Sequence, residues 1–267
     1  MKKKIVFCGG GNMASGIIRD LLHNEVVTPE SITVNELVPA RRDYLTETYG
    51  IAAVANAADA IKEATMVIIA VNPSQVPSVT KVLKPLINKQ TIILSIAAGI
   101  TVKTLENQLG NDKKIVRVVP NTLGQSGHGY SAFYLNEHCD ERDKLYVEEV
   151  LNALGQVMCL HEDMFNTFSS FSNVGPMWLY KMLEALTDAG VYIGLGRADA
   201  RNIAIKNMLG VATVLEKTGE HPAAKVDQMA SPGGVTIEAL KVLQQGGFAT
   251  ALMNSVTASF NKTNSLE

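Results

Sequence analysis

From residue 4 to about 120, short apolar runs alternate with stretches of helical spacing. The runs cover residues 4–8, 32–35, 66–71, 91–96 and 115–119, with a shorter one at 51–54, and all are rich in Val and Ile. Runs without polar alternation suit strands covered on both faces. Between them, residues 13–24, 39–49, 57–64, 75–87 and 102–109 carry helical spacing. Strand–helix alternation at this interval predicts an α/β unit with a doubly wound parallel sheet. After about residue 160 the strand pattern stops. Leu179, Met182, Leu183 and Leu186 recur at helical spacing, as do Met208, Leu209, Ala212 and Leu215, and then Phe248, Leu252, Val256 and Phe260. Such stripes belong to a core or to an oligomer interface. The second part therefore reads as all-helical, apolar enough to pack on itself or on a second copy. The predicted division is 1–160 and 161–267, and the polar tail 261–267 is expected to fray.

Composition narrows the function. A chain of 267 residues, 46% hydrophobic, is long enough for two cores. Its net charge of −2 offers no basic field for nucleic acid. Lys2, Lys3 and Lys4 read as a solvated strand entry. No run approaches the ~20 apolar residues that span a bilayer, and Gly9 cuts the first run too short for a secretion signal. Cys8, Cys139 and Cys159 form no C-x-x-C pair, which suggests a reducing compartment without a disulfide framework. The five histidines are scattered, so no metal is expected. The expected setting is cytoplasmic, with no membrane or nucleic-acid partner.

The candidate chemistry begins at Gly9-Gly10-Gly11, directly behind the first apolar run. Three glycines destabilise any regular element, so a ligand that needs close backbone approach is the natural compensation. Gly9-x-Gly11-x-x-Ala14 fits the dinucleotide fingerprint of a Rossmann unit. Gly9 allows the tight turn, Gly11 lets the backbone reach a pyrophosphate, and Ala14 keeps helix and strand close. Gly10, Asn12 and Met13 complete the turn, and the helix start offers free N–H groups to phosphate. The ribose selector is expected at the end of the second strand, at Asn35-Glu36. A carboxylate there favours NADH, whereas Arg41 and Arg42 could hold the 2′-phosphate of NADPH. Both cofactors stay open.

On these residues the chain resembles the pyrroline-5-carboxylate reductase family along nearly its whole length. The matching stretches are FCGGGNMA (7–14), AVNP (70–73), SIAAGI (95–100), RVVPNT (117–122), GPMWLYKMLEALTDAGVYIGL (175–195) and GEHPAAKVDQMASPGGVTIEAL (219–240). The resemblance implies an N-terminal Rossmann domain and an all-helical C-terminal dimerisation domain, hence a homodimer, with higher homo-oligomers also open. It implies hydride transfer from NADPH or NADH to the C=N carbon of a small cyclic imine acid, giving proline. It further implies that Ser231, Gly233, Gly234 and Thr236 clasp the substrate carboxylate, beside Gly175 and Pro176. Two hydroxyls and a glycine turn running into the helical pattern of 236–244 suit that task. Val71, Asn72 and Pro73, with Ala97, Ala98 and Gly99, follow strands at the edge expected to face the cofactor, and Asn121-Thr122 follow the next strand.

The chain also departs from the family pattern. Ser172-Asn173-Val174-Gly175-Pro176-Met177-Trp178 stands where the family usually has S-G-S-G-P-A-Y. Asn72 replaces the usual lysine, and Leu123 a common proline. Lys181 occupies a position where the family can carry a hydroxyl residue suggested as proton donor. Here it is the candidate catalytic residue, able to protonate the amine nitrogen or to raise the local potential, against the alternative of a surface lysine. Glu220-His221 could steer protons, and Trp178 reads as packing. Related hydroxyacid dehydrogenases carry a lysine four residues after a glycine and an asparagine four further on. Lys181 is six after Gly175, and Ala185 stands where the asparagine should be. Two other readings remain: a reductase of a different cyclic imine, and a non-catalytic nucleotide-binding regulator on the same fold.

Overall fold

The computed structural model describes residues 3–121 and 128–265. The chain divides into two units, Met1–Asn173 and Val174–Leu266.

In the first unit, β1 (Ile5–Cys8), β2 (Ile32–Asn35), β3 (Ala52–Val54), β4 (Met66–Ile69), β5 (Ile92–Ser95) and β6 (Lys114–Val119) lie parallel. β7 (Gly129–Leu135) runs antiparallel to β6, and β8 (Gly155–Cys159) parallel to β7. The order is β3-β2-β1-β4-β5-β6-β7-β8. Every residue of β1, β4 and β5 is buried, as continuous apolarity requires of strands covered on both faces. Alternate side chains serve separate cores. Ile5, Phe7, Met66 and Ile68 meet α1 (Asn12–His23) and α6 (Glu141–Asn152) through Ile18, Leu21, Val147 and Val150. Val6, Val67, Ile69 and Ile93 meet α3 (Ala58–Lys62), α4 (Val76–Leu83) and α5 (Val102–Leu109) through Ile61, Val76 and Leu105. α2 (Pro39–Tyr49) adds Leu45 to the first core and stops at Gly50, whose φ of 67° is left-handed.

The predicted strands and helices of the parallel part are present, with small shifts at their ends. Ala70 and Val71, read as strand, lie beyond β4. β7, α6 and β8 were not predicted. β7 mixes Gly and Ser into its apolar run, and β8 is an edge strand with Gln156, Met158 and Cys159 exposed. α6 announces itself through its cap: Asp140 accepts from Arg142 and Asp143 N–H, and Asp143 returns a bond to Asp140 N–H. A last helix of this unit, α7, spans Phe165–Ser172. Lys3 and Lys4 pair with Glu149 and Glu63; Lys2 lies outside the described residues.

The second unit is helical: α8 (Gly175–Tyr192), α9 (Arg197–Thr218), α10 (Pro222–Met229), α11 (Val235–Gln245) and α12 (Phe248–Asn264). α8 and α9 approach through small residues; a Cβ on Gly190 would lie 2.7 Å from that of Ala200. Trp178 Nε1 donates to Ser255 Oγ at 2.8 Å, tying α8 to α12. The expected fraying of 261–267 is not seen at its start, because α12 runs to Asn264 and Thr263 Oγ1 bonds Ser259 O. Leu266 and Glu267 lie outside the described residues. Among residues 174–265 only Thr187, Ala200 and Ala204 are buried. The apolar stripes seen in the sequence are largely exposed in the single chain: Leu179, Leu186 and Leu209 each show about half their surface. Among the described residues no helix is long and apolar enough to cross a membrane.

Candidate functional site

The order of strand addition reverses between β1 and β4. In such a sheet, ligands bind outside the carboxyl ends of the strands at that switch point. A cleft of ≈ 800 Å³ opens there, lined by residues 9–13, by Asn35 and Glu36, by residues 70–73 and by residues 96–98. The turn after β1 has three glycines with three different tasks. Gly9 has a φ of 99°, and a Cβ on it would sit 2.6 Å from Ala70 O and 2.8 Å from Val71 Cγ1. A Cβ on Gly10 would sit 2.6 Å from Leu45 Cδ1. Gly11 is different: its backbone is extended, at φ −67° and ψ −174°, and a Cβ there would meet no protein atom within 4 Å. That space belongs to the cleft. Gly11 is also the N-cap of α1, and no side chain caps that helix. Its first N–H groups, at the positive end of the helix dipole, remain for an anion. A diphosphate fits these features. Ala14 is fully buried beneath the turn and packs helix on strand.

Glu36 is fixed where the fingerprint puts the ribose selector. Its Oε2 accepts from Gly10 N–H and its Oε1 from Val38 N–H, both at 2.9 Å. Arg41 and Arg42, the possible holders of a 2′-phosphate, bond the loop around the turn. Arg41 donates to Gly10 O and to Ser15 Oγ and stacks 4.6 Å from the Tyr44 ring centre. Arg42 Nη1 donates to the carbonyls of Glu36 and Leu37. Asn35 Nδ2 is held by Ala55 O at 2.9 Å. Cys8 touches the cleft, but burial pushes its thiol up to about 12, so it is no nucleophile.

Beyond β4, Asn72 N–H donates to the Gln75 side chain and turns the chain into α4. Ala97 and Ala98 line the cleft after β5; Gly99, with φ 72°, makes the following turn and is not part of the lining. Asn121 stands just past β6. Its Nδ2 donates at 2.8 Å to both the carbonyl and the hydroxyl of Ser172, at the end of α7. Thr122 and Leu123 lie outside the described residues.

The remaining candidates lie in the second unit. Gly175 and Pro176 open α8, where proline replaces an N–H that has no intrahelical partner. Lys181 is two-thirds exposed and pairs with Glu184 one turn on. Ser231, Gly233 and Gly234 form a turn closed by Gly234 N–H to Ser231 O at 3.0 Å, with Gly233 at φ 66°. Close approach is required here too, since a Cβ on Gly234 would lie 2.3 Å from Ser231 Oγ. The turn delivers the chain into α11 with Gly234 as N-cap and no side-chain cap, leaving the N–H groups around Thr236 for a ligand. His221 Nδ1 instead caps α10, accepting from Ala223 N–H. Glu220 accepts from Lys225, which holds its carboxyl below the usual range.

Sequence reasoning missed Leu37, Val38, Val79 and Val82, which give the cleft an apolar flank near Glu36. Their signal was present as Leu37-Val38 in a loop and as Val82 on the outer face of α4, each more than half exposed.

Comparison with known proteins agrees with this geometry. Residues 162–266 match the family model for pyrroline-5-carboxylate reductase dimerisation. Residues 4–99 match the model for NADP oxidoreductase, coenzyme F420-dependent. A pyrroline-5-carboxylate reductase of Arabidopsis thaliana is 34% identical, over 98% of this chain and 95% of its own. One from Escherichia coli is 33% identical, over 100% and 99%. The solved pyrroline-5-carboxylate reductase of Coxiella burnetii superposes with a TM-score of 0.93 at 29% identity, covering 100% of this chain and 99% of that one. The Plasmodium falciparum enzyme, solved with NADP bound, gives 0.84 at 26%, covering 99% and 98%. With identity at this level over its full length, the chain belongs to the pyrroline-5-carboxylate reductase family.

Proposed function

We propose that this chain is an NAD(P)H-dependent oxidoreductase that reduces 1-pyrroline-5-carboxylate to L-proline. One observation carries the reading beyond family membership. Two of the uncapped helix starts lie at the glycine motifs read in the sequence: Gly11, opening onto the cleft, and Gly234, entering α11 directly after Ser231. The first suits a diphosphate and the second a carboxylate.

When bound, the reduced nicotinamide supplies a hydride to the imine carbon. A new C–H bond forms there, the C=N π pair moves to nitrogen, and a proton completes the N–H of proline. The chain's own part is positioning. Residues 9–14 hold the diphosphate, and residues 71–73 and 97–98 border the dinucleotide. Ser231, Gly233, Gly234 and Thr236 hold the acid. Asn121, through Ser172, fixes the turn that leads to Gly175 and Pro176. Lys181 is two-thirds exposed and already paired with Glu184, which supports the surface-lysine alternative over a proton donor, with solvent supplying the proton.

In this reading residues 1–160 bind the dinucleotide and residues 161–267 bind substrate and dimerise, a division supported by the family match to 162–266. Three unpaired cysteines support a cytoplasmic setting. Replacing Ser231 by alanine and Thr236 by valine together is expected to raise KM for the imine acid by about 100-fold, two charge-assisted hydrogen bonds' worth. The dissociation constant for the dinucleotide should stay within about twofold, because the first unit is untouched. Steady-state kinetics and nucleotide fluorescence read the two separately. An unchanged KM would remove the carboxylate assignment.

A further inference from the structure

The same cleft favours one dinucleotide over the other. Resting on the dinucleotide reading above, we propose that Glu36 is a specificity residue that makes this chain select NADH against NADPH.

Glu36 is held through both of its carboxylate oxygens. Each of its carboxylate oxygens accepts one backbone N–H, from Gly10 and from Val38, at 2.9 Å. A carboxylate has about four acceptor positions, so each oxygen keeps one for a further donor. Two adjacent ribose hydroxyls, donating side by side, match that pair. The side chain also lines the cleft, next to the turn that takes the diphosphate.

A 2′-phosphate meets the opposite situation. It brings charge and acceptors to a group that is itself an ionised acceptor. Like charges this close disfavour binding, more so in a partly buried cleft than in water. Glu36 cannot easily swing aside, because doing so leaves Gly10 and Val38 N–H without their partner. Nearby positive charge does not reverse the sign. Arg41 spends its Nε on Gly10 O and an Nη on Ser15, and lies against Tyr44. Arg42 Nη1 is shared between two loop carbonyls. Both guanidiniums are tied to the turn by these bonds, and Glu36 lines the cleft whereas neither arginine does. Fixing the acid while engaging the arginines is a device that rejects the phosphorylated ribose as well as accepting the plain one.

The test is equilibrium binding of NADH and NADPH to the intact protein by nicotinamide fluorescence, with rates measured alongside. The wild type is expected to bind NADH at least about tenfold more tightly than NADPH, the effect of a single charge-assisted hydrogen bond. Glu36→Gln keeps the shape but removes the charge, and should tighten NADPH binding while weakening NADH no more than about tenfold. Glu36→Ser should narrow the preference further. Damage to the fold would weaken both nucleotides together, so opposite movement of the two constants distinguishes selection from structure. Wild-type protein that binds NADPH as well as NADH overturns the selector role alone, as do variants whose two constants move in parallel. Failure to bind either nucleotide removes the dinucleotide reading and the selector with it.

Discussion

Gly11→Ala is expected to leave the protein folded and to weaken dinucleotide binding by about 100-fold, equivalent to losing roughly two phosphate–amide hydrogen bonds. The separation of the two effects follows from geometry. At φ −67° and ψ −174° alanine is unstrained, and its Cβ meets no protein atom within 4 Å. The cost to the fold is confined to a poorer N-cap, about 1 kcal/mol or less, which moves the melting temperature by a few degrees. The same methyl group occupies the space where the diphosphate must approach the backbone. Gly9→Ala should behave oppositely. Its Cβ would press on Ala70 O and Val71 Cγ1, both under 3 Å, from a backbone at φ 99°. Neither obstacle is the free end of a long side chain, so the turn must shift and stability falls by about 2–4 kcal/mol. Calorimetry and nucleotide titration on both variants check the pair. A Gly11→Ala protein that still binds dinucleotide normally would place the diphosphate elsewhere.

The second large effect concerns the helical unit. With only Thr187, Ala200 and Ala204 buried among residues 174–265, this unit has too little core of its own. α9 leaves Ile205, Leu209, Val211 and Val214 each more than a third exposed, and Tyr192 and Ile193 at the end of α8 are more exposed still. A patch of this extent belongs in an obligate interface, and the match to a dimerisation family says whose. Leu209→Asp combined with Val211→Asp places two charges in that interface. The expected result by analytical ultracentrifugation is a monomer or aggregate in place of a dimer, with activity reduced at least about 100-fold. The helical unit should melt at a lower temperature by calorimetry once its helices lose their partner. A double variant that stays dimeric and active would show that α9 is not part of the interface.

How much of this could be read beforehand depends on where each residue finds its partners. β1, β4 and β5 are buried on both faces, so their apolarity is unbroken and visible in the chain. β8 is exposed at its edge and carries too weak a pattern to announce a strand. The stripes 179–186 and 208–215 were legible as apolar but not as core or interface, because that choice depends on a second chain. The glycine turns were legible because their chemistry is local. Glu36 was legible as a position, yet its meaning rests on Gly10, 26 residues away, and on arginines whose donors turn back to the loop. Asn121 was legible only by its place after a strand. Its bonds to Ser172, 51 residues on, are tertiary and left no mark in the sequence.

Hydride delivery to the imine carbon is the step that the bound dinucleotide and the anchored acid together serve. The decisive measurement is mass spectrometry of proline formed from 1-pyrroline-5-carboxylate with NADH deuterated at the transferable position. One deuterium per proline, on ring carbon 5 and matched to one NADH oxidised, is the predicted result. Oxidation without labelled proline, or no turnover with either nucleotide while both bind, would contradict it.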